Sequence, residues 1–224
     1  MKFFIIIKED SERVPKKNFQ MLGEFPLWQH LVRELEGYEV YIDTDSRTVL
    51  SECKNLGWVT AYPRKQQFID YENSNASNLS PAIKMIDNFL DKYVVDDEEI
   101  IVTTHVTSPF LKIETILDAV EILNTNSDYD SVHSITRHQE FSWLGDKMIP
   151  INFNPDVIQK TQDLPCITMS NGAFFIFRKK TFKKYGNRIG ESPFYYELSP
   201  PEDIEIDYKN DLILAELVNK GLCK

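Results

Sequence analysis

The sequence predicts an α/β fold: a mixed but mostly parallel sheet with helices on both faces and a projecting β-hairpin region. Three observations carry this. Strand-like and helix-like segments alternate four times over the first 125 residues, which specifies a parallel sheet covered on both sides. The strand segments are short continuous apolar runs, as in a buried parallel sheet. After residue 125 the alternation stops, and neither a repeat nor a linker-like stretch follows, so residues 1–224 read as a single domain.

In order, Phe3–Ile7 is the first strand, followed by a polar loop from Lys8 to Asn18. Pro26–Leu35 is a helix with Leu27, Leu31 and Leu35 on one face. Tyr38–Ile42 is the second strand, and Asp45 or Ser46 caps the helix Arg47–Leu56. Trp58–Tyr62 is a third strand, closed by Pro63. Ser80-Pro81 starts a helix whose inward stripe is Ala82, Met85, Ile86, Phe89 and Leu90. Glu99–Thr104 is the fourth strand, and Ile113–Leu123 a helix with Ile116, Leu117 and Val120 inward. Tyr129–Arg137 and Glu140–Ile149 read as the two strands of a hairpin, with Ile151–Met169 irregular after them. Ala173–Phe177 is a further strand; Asp207–Val218 is a final helix packing through Leu212, Ala215, Leu217 and Val218.

Composition excludes several classes. With 25 basic and 35 acidic residues the chain carries a net charge of −10, which argues against nucleic-acid binding. The longest apolar run, Phe3–Ile7, is far below the roughly 20 residues of a membrane span and too brief for a signal peptide, so no membrane insertion and a cytoplasmic location are expected. Cys53, Cys166 and Cys223 form neither a zinc pattern nor a disulfide framework and read as reduced structural thiols. His133 and His138 fall in the expected hairpin and read as surface or interface residues.

Ligands of such sheets sit beyond the carboxyl ends of the strands, which here lead into loops 8–18, 43–46, 62–80 and 105–112. The first loop holds Lys8, Arg13, Lys16 and Lys17, able to grip an anion, although Glu9, Asp10 and Glu12 make an ordinary solvated loop the more natural reading on composition alone. Near the other end, Asp203, Glu205 and Asp207 alternate along Pro201–Asp207 and share one side if extended. Crowded carboxylates suit a magnesium ion, or else simply an acidic helix entrance. Cations for phosphate oxygens and carboxylates for the bridging metal together suit a nucleoside triphosphate. Phe174, Phe175 and Phe177 read as core rather than as a stacking platform, and Phe194-Tyr195-Tyr196 as either packing or part of a pocket wall.

Short motifs recur in a recognisable order: Val14-Pro15-x-Lys17-Asn18, Pro26-Leu27, Thr44-Asp45-Ser46, Asn75-Ala76-Ser77, Thr107-Ser108-Pro109, Gln162-x-Leu164-Pro165, Asn171-Gly172-Ala173-x-Phe175-Ile176, and Ile204-Glu205-Ile206-Asp207 with Asp211. In these the chain resembles the acylneuraminate cytidylyltransferases, the CMP-sugar-acid synthetases. The resemblance implies a Rossmann-like fold and a magnesium-dependent transfer of CMP from CTP to a sugar acid, with pyrophosphate released. It implies Lys8 and Lys17 at the triphosphate with Asp207 as catalytic groups, and Lys8, Ser11, Lys17, Asn18, Asn75, Ser77 and Asn78 at the nucleotide. Thr107, Ser108, Gln162 and Asn171 fall to the acid, and Asp207 and Glu205 to Mg2+, while Asp45 and Ser46 support the nucleotide loop. His105, at a strand end facing the cleft, reads as a further substrate contact or equally as a hydrogen-bonded structural histidine. A homodimer, with residues 129–169 of one subunit reaching the other's acid site, is likewise implied.

The chain also departs from the family. Its first loop reads Lys8-Glu9-Asp10-Ser11-Glu12 where the family has Arg-Gly-Gly-Ser-Lys, with Arg13 available as a compensating cation. Thr161 stands where an arginine often meets the acid's carboxylate, with Lys160 beside it. The leading expectation is therefore a cytidylyltransferase for an ulosonic acid or related acidic molecule in surface-polysaccharide assembly. The alternatives are a nucleotide-binding relative without transfer activity, and a sugar-nucleotide-dependent transferase on the same fold.

Overall fold

The computed structural model describes residues 1–73 and 80–222. Seven strands form one sheet: β1 (Lys2–Ile7), β2 (Val40–Thr44), β3 (Val59–Pro63), β4 (Ile100–Thr104), β5 (Ser131–His138), β6 (Ile167–Arg178) and β7 (Pro193–Glu197). Their spatial order is β7-β5-β6-β4-β1-β2-β3. β1 pairs in parallel with β2 and β4, and β2 with β3, whereas β6 runs antiparallel to both β4 and β5. β7 runs parallel to β5, so β6 alone opposes the common direction.

Helices cover both faces. Phe3, Ile5 and Ile7 of β1 point into one core with Trp28, Leu31 and Val32 of α1 (Leu27–Glu34) and Val49 of α2 (Arg47–Glu52). The same core takes Ile116, Ala119, Val120 and Leu123 of α5 (Ile113–Thr125). Period two sends Phe4 to the other face, where α3 (Gln66–Asn73), α4 (Pro81–Tyr93) and α6 (Lys179–Tyr185) supply Phe68, Met85, Ile86, Phe89, Leu90 and Phe182. A third, smaller core seats α7 (Lys209–Leu222) through Ala215 against Leu22, Leu27, Phe110 and Ile206.

Several expectations change. Tyr129–Arg137 and Glu140–Ile149 do not pair with each other: β5 lies inside the main sheet between β6 and β7. Its side chains are consequently buried, His133 among them at 5% exposure, whereas His138 at its end is exposed. The connection between β5 and β6 is a mostly exposed arm carrying a small ribbon, Trp143–Leu144 against Ile149–Pro150, and a 3-10 turn at Thr161–Asp163. Leu117 and Leu217 lie on the solvent side of their helices, at 36% and 61% exposure. Ser46 is the cap of α2, its Oγ accepting from Val49 N at 3.4 Å, and that helix stops at Glu52 in a short 3-10 turn. Cys53 is buried and Cys166 exposed, both as free thiols; Cys223 lies outside the described residues.

Candidate active site

A cleft of about 310 Å3 opens beyond the carboxyl ends of β1 and β4, walled by Ile6, Lys8, Ser11, Arg13, Lys17, Asn18, Ala82, His105, Val106, Thr107, Glu205 and Asp207. Its position follows the rule for open α/β sheets. A larger cavity volume near Leu50 and Cys53 carries almost no ionisable lining and sits away from these strand ends.

The two charged segments meet across the cleft. Lys17 Nζ lies 2.9 Å from Asp207 Oδ1, and Arg13 approaches Asp207 Oδ2 at 2.6 Å. Asn18 is buried and donates to the Lys8 carbonyl at 3.0 Å, which folds the first loop back on its own start. Without a glycine in that loop, the required left-handed turn falls on Lys16, at φ 50°. The loop is also braced from outside, because Glu9 N donates to Asp45 Oδ1 at 2.7 Å.

Behind it lies Arg64, whose side chain is fully buried. Its Nε meets Asp43 Oδ1 at 2.7 Å, and its other nitrogens reach the Ile7 carbonyl at 3.2 Å and Asp45 at 4.0 Å. One guanidinium thus binds the ends of β1, β2 and β3 together. A single arginine after Pro63 carries no motif, so sequence reading passes over it.

The acidic segment is held by its alternate residues. Ile206 is fully buried and its amide donates to the Thr107 carbonyl at 2.8 Å, which turns Glu205 and Asp207 toward the cleft. Asp203, expected on the same side, does not line it. Asp211 accepts from the amides of Asp207 and Tyr208 at 2.9 and 2.7 Å, closing the first turn of α7 as the third-position acid of a capping box does. Gly172, at φ 71°, lets the β6 backbone pass close by: a side chain there would touch the Glu205 carboxylate and the His105 ring.

Electrostatics divide these groups. Burial pushes the Glu205 carboxyl up and the neighbouring Asp207 charge adds to it, with Lys17 only partly offsetting. Burial acts on Asp207 the same way, but Lys17 and Arg13 outweigh it and hold that carboxyl below its ordinary value. His105 is pushed down to about 4, first by burial and then by the charges of Arg188 and Lys17. It is neutral at physiological pH.

Of the remaining expected residues, Ser11 and Thr107 line the cleft, and Thr107 Oγ1 lies 3.5 Å from Glu205. Ser108 and Asn171 are buried behind that lining, each with a side-chain atom lacking a partner among the described residues. Gln162 does not reach the cleft. It sits exposed on the arm, which packs on itself through Phe141, Trp143 and Phe153. Asn75, Ser77 and Asn78 lie outside the described residues. No group of three or more metal-ligating side chains occurs among the described residues, and none of their helices is long and apolar enough to cross a membrane.

Residues 5–216 match the family model described as Cytidylyltransferase. The chain belongs to the cytidylyltransferase family. Relatives within it include N-acylneuraminate cytidylyltransferase A of Danio rerio, 27% identical over 95% of this chain and 49% of that protein. Another is the N-acylneuraminate cytidylyltransferase of Streptococcus agalactiae, 24% identical over 92% of this chain and 50% of its own length. The chain spans about half the length of these curated relatives. The fold is shared with a CMP:2-keto-3-deoxy-manno-octonic acid synthetase solved with CTP, at TM-score 0.65, 11% identity and 98% coverage of both chains. It is shared equally with a 4-diphosphocytidyl-2C-methyl-D-erythritol synthase, at TM-score 0.67, 8% identity, and coverage of 97% of this chain and 98% of that one.

Proposed function

We propose that this chain transfers CMP from CTP to a sugar acid of the ulosonic type, releasing pyrophosphate. The observation that carries this reading is the meeting of Lys17 and Arg13 with Asp207 in a cleft at the strand ends of a cytidylyltransferase fold. In the reaction the acid's anomeric hydroxyl attacks the α-phosphorus in line and pyrophosphate leaves, so positioning and charge neutralisation supply most of the rate. Lys8, Lys17 and Arg13 offer the cations, with Ser11 and Asn18 beside them as hydrogen-bonding groups. His105 is too weak a base to hold an abstracted proton, so its part is hydrogen bonding.

Two carboxylates side by side on a cleft wall, one of them pushed up partly by its neighbour's charge, fit a hard divalent cation. Mg2+ is commonly held by one or two carboxylates together with substrate phosphates, so Asp207 and Glu205 suffice as protein ligands. When bound, the ion would neutralise phosphate charge. Before the nucleotide arrives, Lys17 and Arg13 occupy Asp207, and the triphosphate would draw both away and leave the carboxylate open.

The exposed arm carries Trp143, Leu144, Ile149, Val157 and Ile158 at 45% to 70% exposure, which supports burial against a second copy in a homodimer. Gln162 would then approach the partner's acid site. The reaction would take place in the cytoplasm and feed surface-polysaccharide assembly. One observation favours a second reading, nucleotide binding without transfer: the Glu9 amide is spent on Asp45 rather than left facing the cleft.

Pyrophosphate release from CTP and Mg2+ with N-acetylneuraminate and 3-deoxy-manno-octulosonate tests the reading. Release with a CMP conjugate visible by mass spectrometry eliminates the second reading. Nucleotide binding without any conjugate eliminates the first.

A further inference from the structure

Arg13, Arg64, Arg137 and Arg178 each face a carboxylate, Arg33 bonds Gln29 beside the Phe25 ring, and Arg47 is exposed. Arg188 differs from them in being drawn out of solvent with only a ring beside it. Arg188 makes no ion pair or hydrogen bond among the described residues, and its guanidinium carbon lies 3.7 Å from the centre of the Phe175 ring. Burial alone pushes its pKa down, to about 10, so it remains charged at neutral pH. Holding a desolvated cation with no anion opposite costs free energy, and a single cation–π contact offsets only part of that.

The surroundings are built of polar groups in the same condition. His133 is 5% exposed, and neither ring nitrogen has a partner. Its ring lies 5.4 Å from Phe175 and 4.8 Å from Tyr195. Asn171, 8% exposed, leaves its amide nitrogen unsatisfied four residues before Phe175, where a bulge opens β6. Strand alternation explains the wall. Phe174 and Phe177 enter the two cores, while Phe175, His133 and Tyr195 are paired neighbours on β6, β5 and β7 and share one face. His105 lines the nucleotide cleft, and its amide donates to the carbonyl of Ala173 at 3.4 Å, two residues before Phe175 on β6. The subsite therefore adjoins that cleft. The position at which the family resemblance expects an arginine for the acid is Thr161, exposed on the arm with Lys160.

We propose that Arg188, seated on Phe175, is the specificity-determining residue that receives the acceptor's carboxylate, with His133 and Asn171 offering hydrogen bonds to its oxygens or hydroxyls. This rests on the function proposed above. A planar guanidinium matches a carboxylate bidentately. In an ulosonic acid the carboxylate sits on the carbon that bears the attacking hydroxyl, so gripping it also fixes the nucleophile.

The test is calorimetric titration of the whole protein in the presence of CMP, with N-acetylneuraminate and 3-deoxy-manno-octulosonate as probes and with the methyl ester of each. Wild type should prefer acid to ester by about 10- to 100-fold, the range of a charge-assisted hydrogen bond. Arg188→Gln should bring that ratio near one, Arg188→Lys should restore part of it, and both variants should bind CTP as wild type does. An Arg188→Gln protein that binds CTP normally and keeps the preference overturns the inference while leaving the function standing. Wild type that binds CTP but neither acid also overturns it. Acid binding governed by Arg188 in a protein that never binds CTP would uphold the inference and remove the cytidylyltransferase reading.

Discussion

Replacing Asp207 by asparagine removes one charge and almost no volume, and its consequences separate cleanly by ligand. In the free protein the carboxylate accepts from Lys17 at 2.9 Å, between side chains 13% and 29% exposed, and from the half-exposed Arg13 at 2.6 Å. A charge-assisted bond of the first kind contributes about 1.5–3 kcal/mol, and an exposed pair of the second about 0–1 kcal/mol. Relief of repulsion with Glu205 returns part of this, leaving a net loss of about 1–2 kcal/mol, or about 2–8 °C in Tm for a chain of this size. Because the Asp207 carboxyl is held below its ordinary 3.8, its stabilisation is present above that value and lost as pH falls through the lower folded value. The variant should therefore show a flatter acid limb below about pH 4.

Function should respond in opposite directions. With a chelator present, Asp207→Asn should bind CTP about 5- to 30-fold more tightly, since the triphosphate no longer competes for Lys17 and Arg13. With Mg2+ and a sugar acid, kcat should fall about 10²- to 10³-fold, the usual loss for one preorganised charge at a reacting phosphate or oxyanion. Calorimetry in EDTA and a pyrophosphate-release assay in Mg2+ measure the two effects. Turnover within threefold of wild type, or weaker binding in EDTA, would refute the reasoning.

Arg64→Met should lower stability by about 3–5 kcal/mol, since it strands a buried Asp43, and the double variant with Asp43→Leu should recover much of the loss; thermal melts decide this. His105 is held to about 4 against 6.5 in a free chain, so unfolding takes up a proton between those values and stability declines as pH falls from 6.5 toward 4. His105→Asn should remove about 3 kcal/mol of that decline, read from urea midpoints across the same pH range. Glu205 has the opposite sign: its folded pKa is raised, so its ionisation costs stability as pH rises above 4.5. Glu205→Gln should accordingly melt higher at pH 7, by about 0.5–1 kcal/mol in stability, while losing Mg2+-dependent turnover.

Strands and helix stripes could be read from sequence because both depend on local period. Phe3–Ile7 names a buried strand wherever it sits, and Asp45-Ser46 narrows the cap of α2 to two residues, of which the structure uses Ser46. Pairing partners are not local, and there the reading failed. Nothing within 131–138 says that its neighbours come from 167–177 and 193–197, so β5 reads as half of a hairpin and β7 gives no strand signal of its own. α6 was hidden by composition: Lys179-Lys180-Thr181-Phe182-Lys183-Lys184-Tyr185 looks like loop, yet burial of Phe182 and a left-handed stop at Gly186 make it helical. The facing of Lys17 and Asp207 is implied by the family resemblance, since the two charged segments alone leave a solvated loop and an acidic helix entrance open. Arg64 and Arg188 could not be found that way, since lone arginines acquire meaning only from groups the fold brings to them.

Lys17 and Asp207 are separated by 190 residues of chain. At about 5–20 residues per second, a ribosome finishes the cationic half of the cleft about ten to forty seconds before it supplies the acidic half. During that interval the nascent protein displays lysines to cellular nucleotides without Glu205 and Asp207 opposite them. Whatever transfer activity it has must therefore wait until Asp207 has been made and α7 (Lys209–Leu222) has docked.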